Sequence, residues 1–295
     1  MAEEDSLSNL EQVVLIVTRL LVFWTGLYVW EVLTSLWYEI GFVSGTRVFH
    51  WHLVPYIVSR YSQLIGLISL LYLSNSTRQG NCEAAYLLSF FLELSVLAAS
   101  ITFALRTIAI WMNRVVTICL WGMVVVYAVL VVLSTAMNKS GNYSGRCSYV
   151  NPRRAYSIVT IIRVYSMIFD GVVLLLNIYK LRTSFKFGVH RRLFRLLFTQ
   201  GLIYFIIAFL SNLVAVVFLL STSNPFLGLT VTESASVLTV VAACRSVRHL
   251  DQSMIQGTRT QYALTTISTG PPQVSESTTH PTNITTAQKT NENVI

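Results

Sequence analysis

Charge is scarce in this chain. Lys, Arg, Asp and Glu make up 12% of its 295 residues, about half of the ~25% that a soluble globular domain carries. A surface facing water on all sides is thereby excluded. Cysteine is scarce too, at four residues, which excludes a disulfide-stapled secreted scaffold. Segments of about ten residues with alternating polarity, the mark of an outer-membrane barrel, do not occur.

What is abundant is apolar sequence, 54% of the chain. It falls into seven runs, near 13–36, 52–74, 84–107, 115–136, 157–179, 197–220 and 227–248. A hydrocarbon core ~30 Å thick takes about 20 residues of helix, so each run is long enough to cross it. Stretches such as Leu64–Leu73 and Val115–Leu133 are apolar almost all round, as a lipid-bathed helix must be. Trp30, Trp37, Tyr38, Trp51, Trp111 and Tyr179 crowd the ends, where interfacial belts sit. The pattern predicts an all-α fold, a seven-helix transmembrane bundle in contact with the lipid bilayer.

Basic residues set the expected orientation. With the N-terminus outside, the cytoplasmic segments hold eleven Lys and Arg and the outer segments five, as the positive-inside rule requires. Residues 1–12 are then a short extracellular segment, acidic and without base (Glu3, Glu4, Asp5, Glu11). They lack the basic region and cleavage site of a signal peptide. The plasma membrane is the expected location, with an endomembrane as the alternative. Sequons at Asn75, Asn138 and Asn142 fall in the outer segments, where glycosylation occurs. Cys82 and Cys147 share that oxidising side and would pair there; two free thiols are the alternative. Cys119 reads as a packing residue, and Cys244 as a buried thiol or a palmitoylation site. From 251 to 295 the chain turns polar, with 15 Ser and Thr in its last 44 residues. Such a segment buries too little surface to offset its ordering entropy, and predicts a disordered cytoplasmic tail.

The informative residues are the charges left inside the runs. Each Arg or Asp at a helix centre costs about 2.5–3.5 kcal/mol on insertion scales. Seven facing lipid would cost on the order of 20 kcal/mol, so they must turn inward, pair or snorkel. Arg19, Arg163 and Glu233 lie in the outer third, Glu93 and Asp170 nearer the middle, Glu31 and Arg60 toward the cytoplasm. Matching depth on consecutive helices predicts a Glu31–Arg60 pair. Helical spacing collects Arg163, Ser166, Asp170 and Asn177 on one face of span five, and Glu93, Ser100 and Thr107 on one face of span three. Glu233 and Ser236 begin another on span seven. If these faces converge, Glu93, Arg163, Asp170 and Glu233 line a ligand pocket open to the outside. The alternative is interhelical packing with no cavity.

No Lys lies within a span, which excludes a retinal Schiff base. The five His sit at or beyond the cytoplasmic edge, with no grouping for a metal. G-x-S-x-G, H-E-x-x-H, P-loop and dinucleotide motifs are missing. The expectation is a protein that is not an enzyme and carries no metal or cofactor. The basic loop 180–195 suits anionic headgroups or an acidic cytoplasmic partner, not nucleic acid.

Leu105-Arg106-Thr107-Ile108-Ala109-Ile110-Trp111, followed by Asn113-Arg114, resembles the signature ending span three in a large family of fungal seven-span membrane proteins of unknown function, abundant in basidiomycetes. Asn177-Ile178-Tyr179-Lys180, Gly201-Leu202-Ile203-Tyr204-Phe205 and Ala243-Cys244-Arg245-Ser246-Val247-Arg248 extend the resemblance, as do Trp30-Glu31 and Ser59-Arg60-Tyr61. Gln200 departs from it where an acid is expected. The resemblance implies a seven-helix integral membrane protein and no established activity. G-protein-coupled receptors offer an analogy in topology, although Arg106 lacks the adjacent acid and following Tyr of those receptors. Topology alone does not confer function. A receptor-like sensor, a transporter or channel using the buried charges, and a structural or lipid-organising protein are the readings carried forward.

Overall fold

The computed structural model of the chain describes residues 2–45, 51, 53–75, 82–137, 140–143, 146–149, 152–186, 192–222 and 225–268. Eight helices and one hairpin follow in order: α1 Ala2–Thr34, α2 Leu36–Val43, α3 Leu53–Asn75, α4 Cys82–Trp111, α5 Arg114–Met137, β1 Ser140–Tyr143, β2 Arg146–Tyr149, α6 Pro152–Lys186, α7 Arg192–Ser221 and α8 Pro225–Ser268. Seven spans among them are long and apolar enough to cross a membrane: Leu15–Gly41, Leu53–Tyr72, Phe90–Trp111, Arg114–Met137, Tyr156–Thr183, Gly201–Ser221 and Leu227–Gln252. The architecture is the seven-helix bundle that the apolar runs predict, and the bilayer is its solvent. The antiparallel hairpin β1–β2, with Asn142 opposite Cys147, lies in the link after span four. It marks one end of the bundle, here the hairpin end; the other, rich in Arg, is the basic end.

The first span is two helices because Thr34 and Ser35 turn their hydroxyls back onto their own helix. Thr34 Oγ1 donates to Trp30 O at 2.9 Å and Ser35 Oγ to Glu31 O at 2.6 Å. Such back-bonding bends helices. At the break the Val32 carbonyl accepts from Ser35 N at 3.3 Å and also from Arg60 Nη2 at 2.7 Å. Between α4 and α5 the chain reverses in two residues. Met112 adopts φ 49°, closing α4 in the left-handed conformation, and Asn113 Oδ1 caps α5 by accepting from Val115 N at 3.0 Å.

Small residues bring the helices close. At Gly66 of α3 a Cβ would stand 2.5 Å from Leu92 Cδ2 of α4, so any larger residue obliges the Leu92 side chain to move. The core joins Tyr28, Tyr56, Ala99, Phe103, Phe169, Val173, Phe205, Val237 and Val240. On α5, Leu120, Val124, Tyr127, Val131 and Ser134 form the buried seam. Ile118, Val125, Val129 and Val132 are exposed on its other face, apolar side chains with only lipid to meet.

Two helices run past the expected boundaries. α1 begins at Ala2, so positions 2–12 are helical, while the first membrane span begins at Leu15. No Pro precedes Pro55 and no Gly precedes Gly26, so nothing breaks the helix propagating out of the span. Likewise α8 runs on to Ser268, past the start expected for the unstructured tail; no Pro intervenes before Pro271. The chain divides into two compact units at Ser253, Met1–Ser253 holding the spans and Met254–Ile295 the end of α8 and the remainder. Residues 269–295 lie outside the described residues.

Candidate functional site: a polar seam through the bundle

Three of the four charges expected to share a pocket meet at the hairpin end. Arg163 of α6, 2% exposed, donates from Nη2 to Glu93 Oε1 of α4 at 3.0 Å, and the same nitrogen lies 4.0 Å from Glu233 Oε1 of α8. Ser236 Oγ donates to Glu233 Oε2 at 3.3 Å and accepts from Gln63 Nε2 at 3.3 Å. Ser95 in turn donates to Gln63 Oε1. One network thus ties α3, α4, α6 and α8 together. Arg163 Nε and Nη1 and Glu93 Oε2 are buried without a hydrogen-bond partner, leaving both donors and an acceptor for a further group.

Asp170 stands apart from this cluster. Seven residues along α6 from Arg163, about 10.5 Å, it accepts from Asn212 Nδ2 of α7 at 2.6 Å through Oδ2. Seven further on, Asn177 donates from Nδ2 to Thr107 Oγ1 of α4 at 2.9 Å. The two polar stripes read from the sequence therefore face one another in register. Glu93 meets Arg163, Ser100 lies at the level of Asp170, and Thr107 meets Asn177.

The expected Glu31–Arg60 pair is corrected by the structure. Glu31 takes Arg245 Nε at 3.0 Å and Nη2 at 2.5 Å, both from α8, and also accepts from Arg248 Nη2. Arg60, 2% exposed, pairs instead through Nε with Glu39 Oε1 of α2 at 3.0 Å. Glu39 also accepts from Tyr56 Oη at 3.2 Å and Tyr61 Oη at 2.6 Å. Depth alone cannot choose between two acids on one span; the break at Ser35 turns Glu39 toward α3 and leaves Glu31 facing α8. Glu39 is the functional-type residue that sequence reasoning missed. Its place one residue after an aromatic pair, near the end of the first run, looks interfacial.

At the same end Arg106 of α4 donates to the Ser246 carbonyl of α8. Trp111 Nε1 donates to Leu176 O at 3.3 Å, its ring stacks on Tyr179 at 6.0 Å, and Lys180 Nζ lies 5.3 Å above it. The motif ending span three thus touches the motif ending span five through Trp111 and that ending span seven through Arg106. Arg19 is exposed on α1. Cys244 is buried, with Sγ 4.0 Å from Ser59 Oγ, which leaves no thiol accessible for palmitoylation. Cys119, read as a packing residue, is exposed on the lipid-facing side of α5; a single helix face has no marker telling a buried Cys from one among lipid-facing Val and Ile. The side chains of Cys82, Cys147, Asn75, Asn142 and residues 184–195, and all of Asn138 and 187–191, lie outside the described residues. Among the described residues, no group of three or more His, Cys, Asp or Glu could hold a metal ion.

No protein-family model and no curated protein sequence matches the chain.

Proposed function

We propose that this multi-pass membrane protein is a receptor-like sensor, its N-terminus outside, with the Glu93–Arg163–Glu233 cluster as its ligand site. The observation that carries this reading is the cluster itself. It is a buried guanidinium between two carboxylates, with Arg163 Nε and Nη1 and Glu93 Oε2 left unpartnered. Buried donors and acceptors in such a state favour a small polar molecule that offers both. Glu233 is the member best placed to respond, because its side chain is 21% exposed and its contact with Arg163 is the longest.

α8 is the element that would carry the response. Glu233 belongs to the cluster, and Arg245, twelve residues or about 18 Å further along, holds Glu31 at the basic end. A ligand that draws Glu233 from Arg163 displaces α8 and with it the Arg245 and Arg248 grip on α1. The basic face, including loop 180–195, is then the docking place for a cytoplasmic partner. The eleven-to-five distribution of basic residues supports this orientation, and the sequence motifs support membership of the fungal seven-span family.

The test places spin labels by Trp37→Cys and Leu250→Cys, both exposed positions, in the full chain carrying Cys119→Ser. Among small polar molecules applied to reconstituted protein, a ligand changes the label-to-label distance, and Glu93→Gln abolishes the change without altering folding. A response that survives Glu93→Gln overturns the site. An unchanged distance across zwitterions, amines and carboxylates overturns the sensor.

The surplus of carboxylates over guanidinium along the seam, Glu93, Glu233 and Asp170 against Arg163, favours a second reading as a transporter or channel. Proton or ion flux in proteoliposomes that falls with Glu93→Gln decides for it.

A further inference from the structure

The seam between α4 and α6 has three layers; in the outer two the helices bond each other directly, Arg163 to Glu93 and Asn177 to Thr107, while in the middle one Ser100 Oγ and Asp170 Oδ1 are buried without a hydrogen-bond partner. Thr107 donates to Phe103 O and accepts from Asn177. Ser95 and Thr102 likewise donate to carbonyls of their own helix, Leu92 at 2.7 Å and Ala98 at 3.0 Å. In the middle layer Ser100 and Ser166, each 0% exposed, make no such bond. Ser100 Oγ and Asp170 Oδ1 have no hydrogen-bond partner, and the hydroxyls of Ser166 and Tyr127 lie close enough to interact with each other. Ser166 lies one turn from Asp170 on the same face of α6. Tyr127 reaches in from α5, its hydroxyl within electrostatic range of Glu93 and Arg163 and also of Asp170. Ser100 is brought to the same level by the register that joins Glu93 to Arg163 and Thr107 to Asn177.

The charge in this layer is also uncompensated. Arg163 is committed to Glu93 and Glu233 one layer away, and Asn212 gives Asp170 only a neutral amide. A carboxylate at this depth calls for a positive partner. The polar atoms of Asp170, Ser100, Ser166 and Tyr127 are all hard oxygens, the donor type of alkali and alkaline-earth ions. One carboxylate balances one positive charge. A divalent ion at this depth would demand more than a single acid.

We infer that the middle layer of the seam is a binding site for a small monovalent cation, sodium in size and charge, held by Asp170 with the hydroxyl oxygens of Ser100, Ser166 and Tyr127. It is distinct from the Glu93–Arg163–Glu233 cluster and does not depend on that cluster being a ligand site. Because the site draws on α4, α5 and α6, with Asn212 of α7 holding the acid, its occupancy ties four helices together.

The test is a thermal melt of the purified full chain, with sodium chloride replacing choline chloride at constant ionic strength. A ligand of the folded state raises Tm with its concentration, so sodium gives a saturable rise of several degrees that choline does not. Asp170→Asn abolishes the rise. Ser166→Ala, which removes one donor and keeps the charge, moves its midpoint to at least severalfold higher sodium and serves if Asp170→Asn does not fold. Equal Tm in the two salts overturns the inference. So does a sodium effect of unchanged size and midpoint in these variants, and so does stabilisation that follows pH alone, which would make the partner a proton.

Discussion

At the scale of single residues, two acids on the first span do different work. Glu39 is the carboxylate on Arg60, which is almost fully buried, whereas Glu31 is shared by Arg245, whose side chain is 55% exposed, and Arg248, at 17%. Removing one partner of a buried pair strands the other and costs about 3–5 kcal/mol; a partly exposed pair contributes about 1 kcal/mol or less. Glu39→Gln, which strands an almost fully buried guanidinium, is therefore expected to lower Tm more than Glu31→Gln in melts of the purified chain. An equal or reversed order would show that Arg60 is held mainly by Tyr56 and the Val32 carbonyl. Met112 makes a second case. Its φ of 49° costs an L-residue roughly 1 kcal/mol that glycine avoids. Since Met112 is 90% exposed, Met112→Gly loses no packing and is expected to raise Tm slightly.

At the scale of elements, the α3–α4 contact depends on Gly66. A methyl there meets Leu92 Cδ2 at 2.5 Å and Cγ at 2.8 Å, and overpacking of this kind costs about 1–3 kcal/mol. Gly66→Ala is expected to destabilise, and Gly66→Ala with Leu92→Ala to recover part of the loss. Additive losses from the two changes would place the strain in the backbone instead. The element scale is also where reading from sequence went furthest. Each span lies within a few residues of an apolar run, because a helix in lipid is legible from composition along one stretch of chain. The stripes Glu93–Ser100–Thr107 and Arg163–Ser166–Asp170–Asn177 were legible for the same reason, since the 3.6-residue period is local. The hairpin β1–β2 was not, because a four-residue strand in a polar link carries no periodic signal. Nor was the break at Ser35, which rests on hydroxyls bonding their own helix.

At the scale of the whole molecule, orientation remains the property most open to measurement. The positive-inside distribution expects the hairpin end outside. Glycan acceptors engineered into the β1–β2 link are then modified in microsomes, while acceptors in the 187–191 link and after Ser268 are not. The opposite pattern would invert the molecule, turning the Arg163 cluster toward the cytoplasm and the Arg245–Glu31 clasp outward. The sensor reading would then need its ligand on the other side.

The sequence by itself determined that this is a seven-helix membrane protein, which faces of its helices are polar, and which charges must be sheltered from lipid. Those conclusions rest on hydrophobicity and on the helical repeat, both contained within single segments. Only the tertiary structure decided the partners: Arg163 with Glu93 and Glu233, Arg60 with Glu39, Glu31 with Arg245 and Arg248, and Asp170 alone with Asn212. Partnering depends on how far one helix is slid and rotated against the next. That register is set by contacts such as Gly66 on Leu92 and by the break at Ser35, between segments distant in the chain.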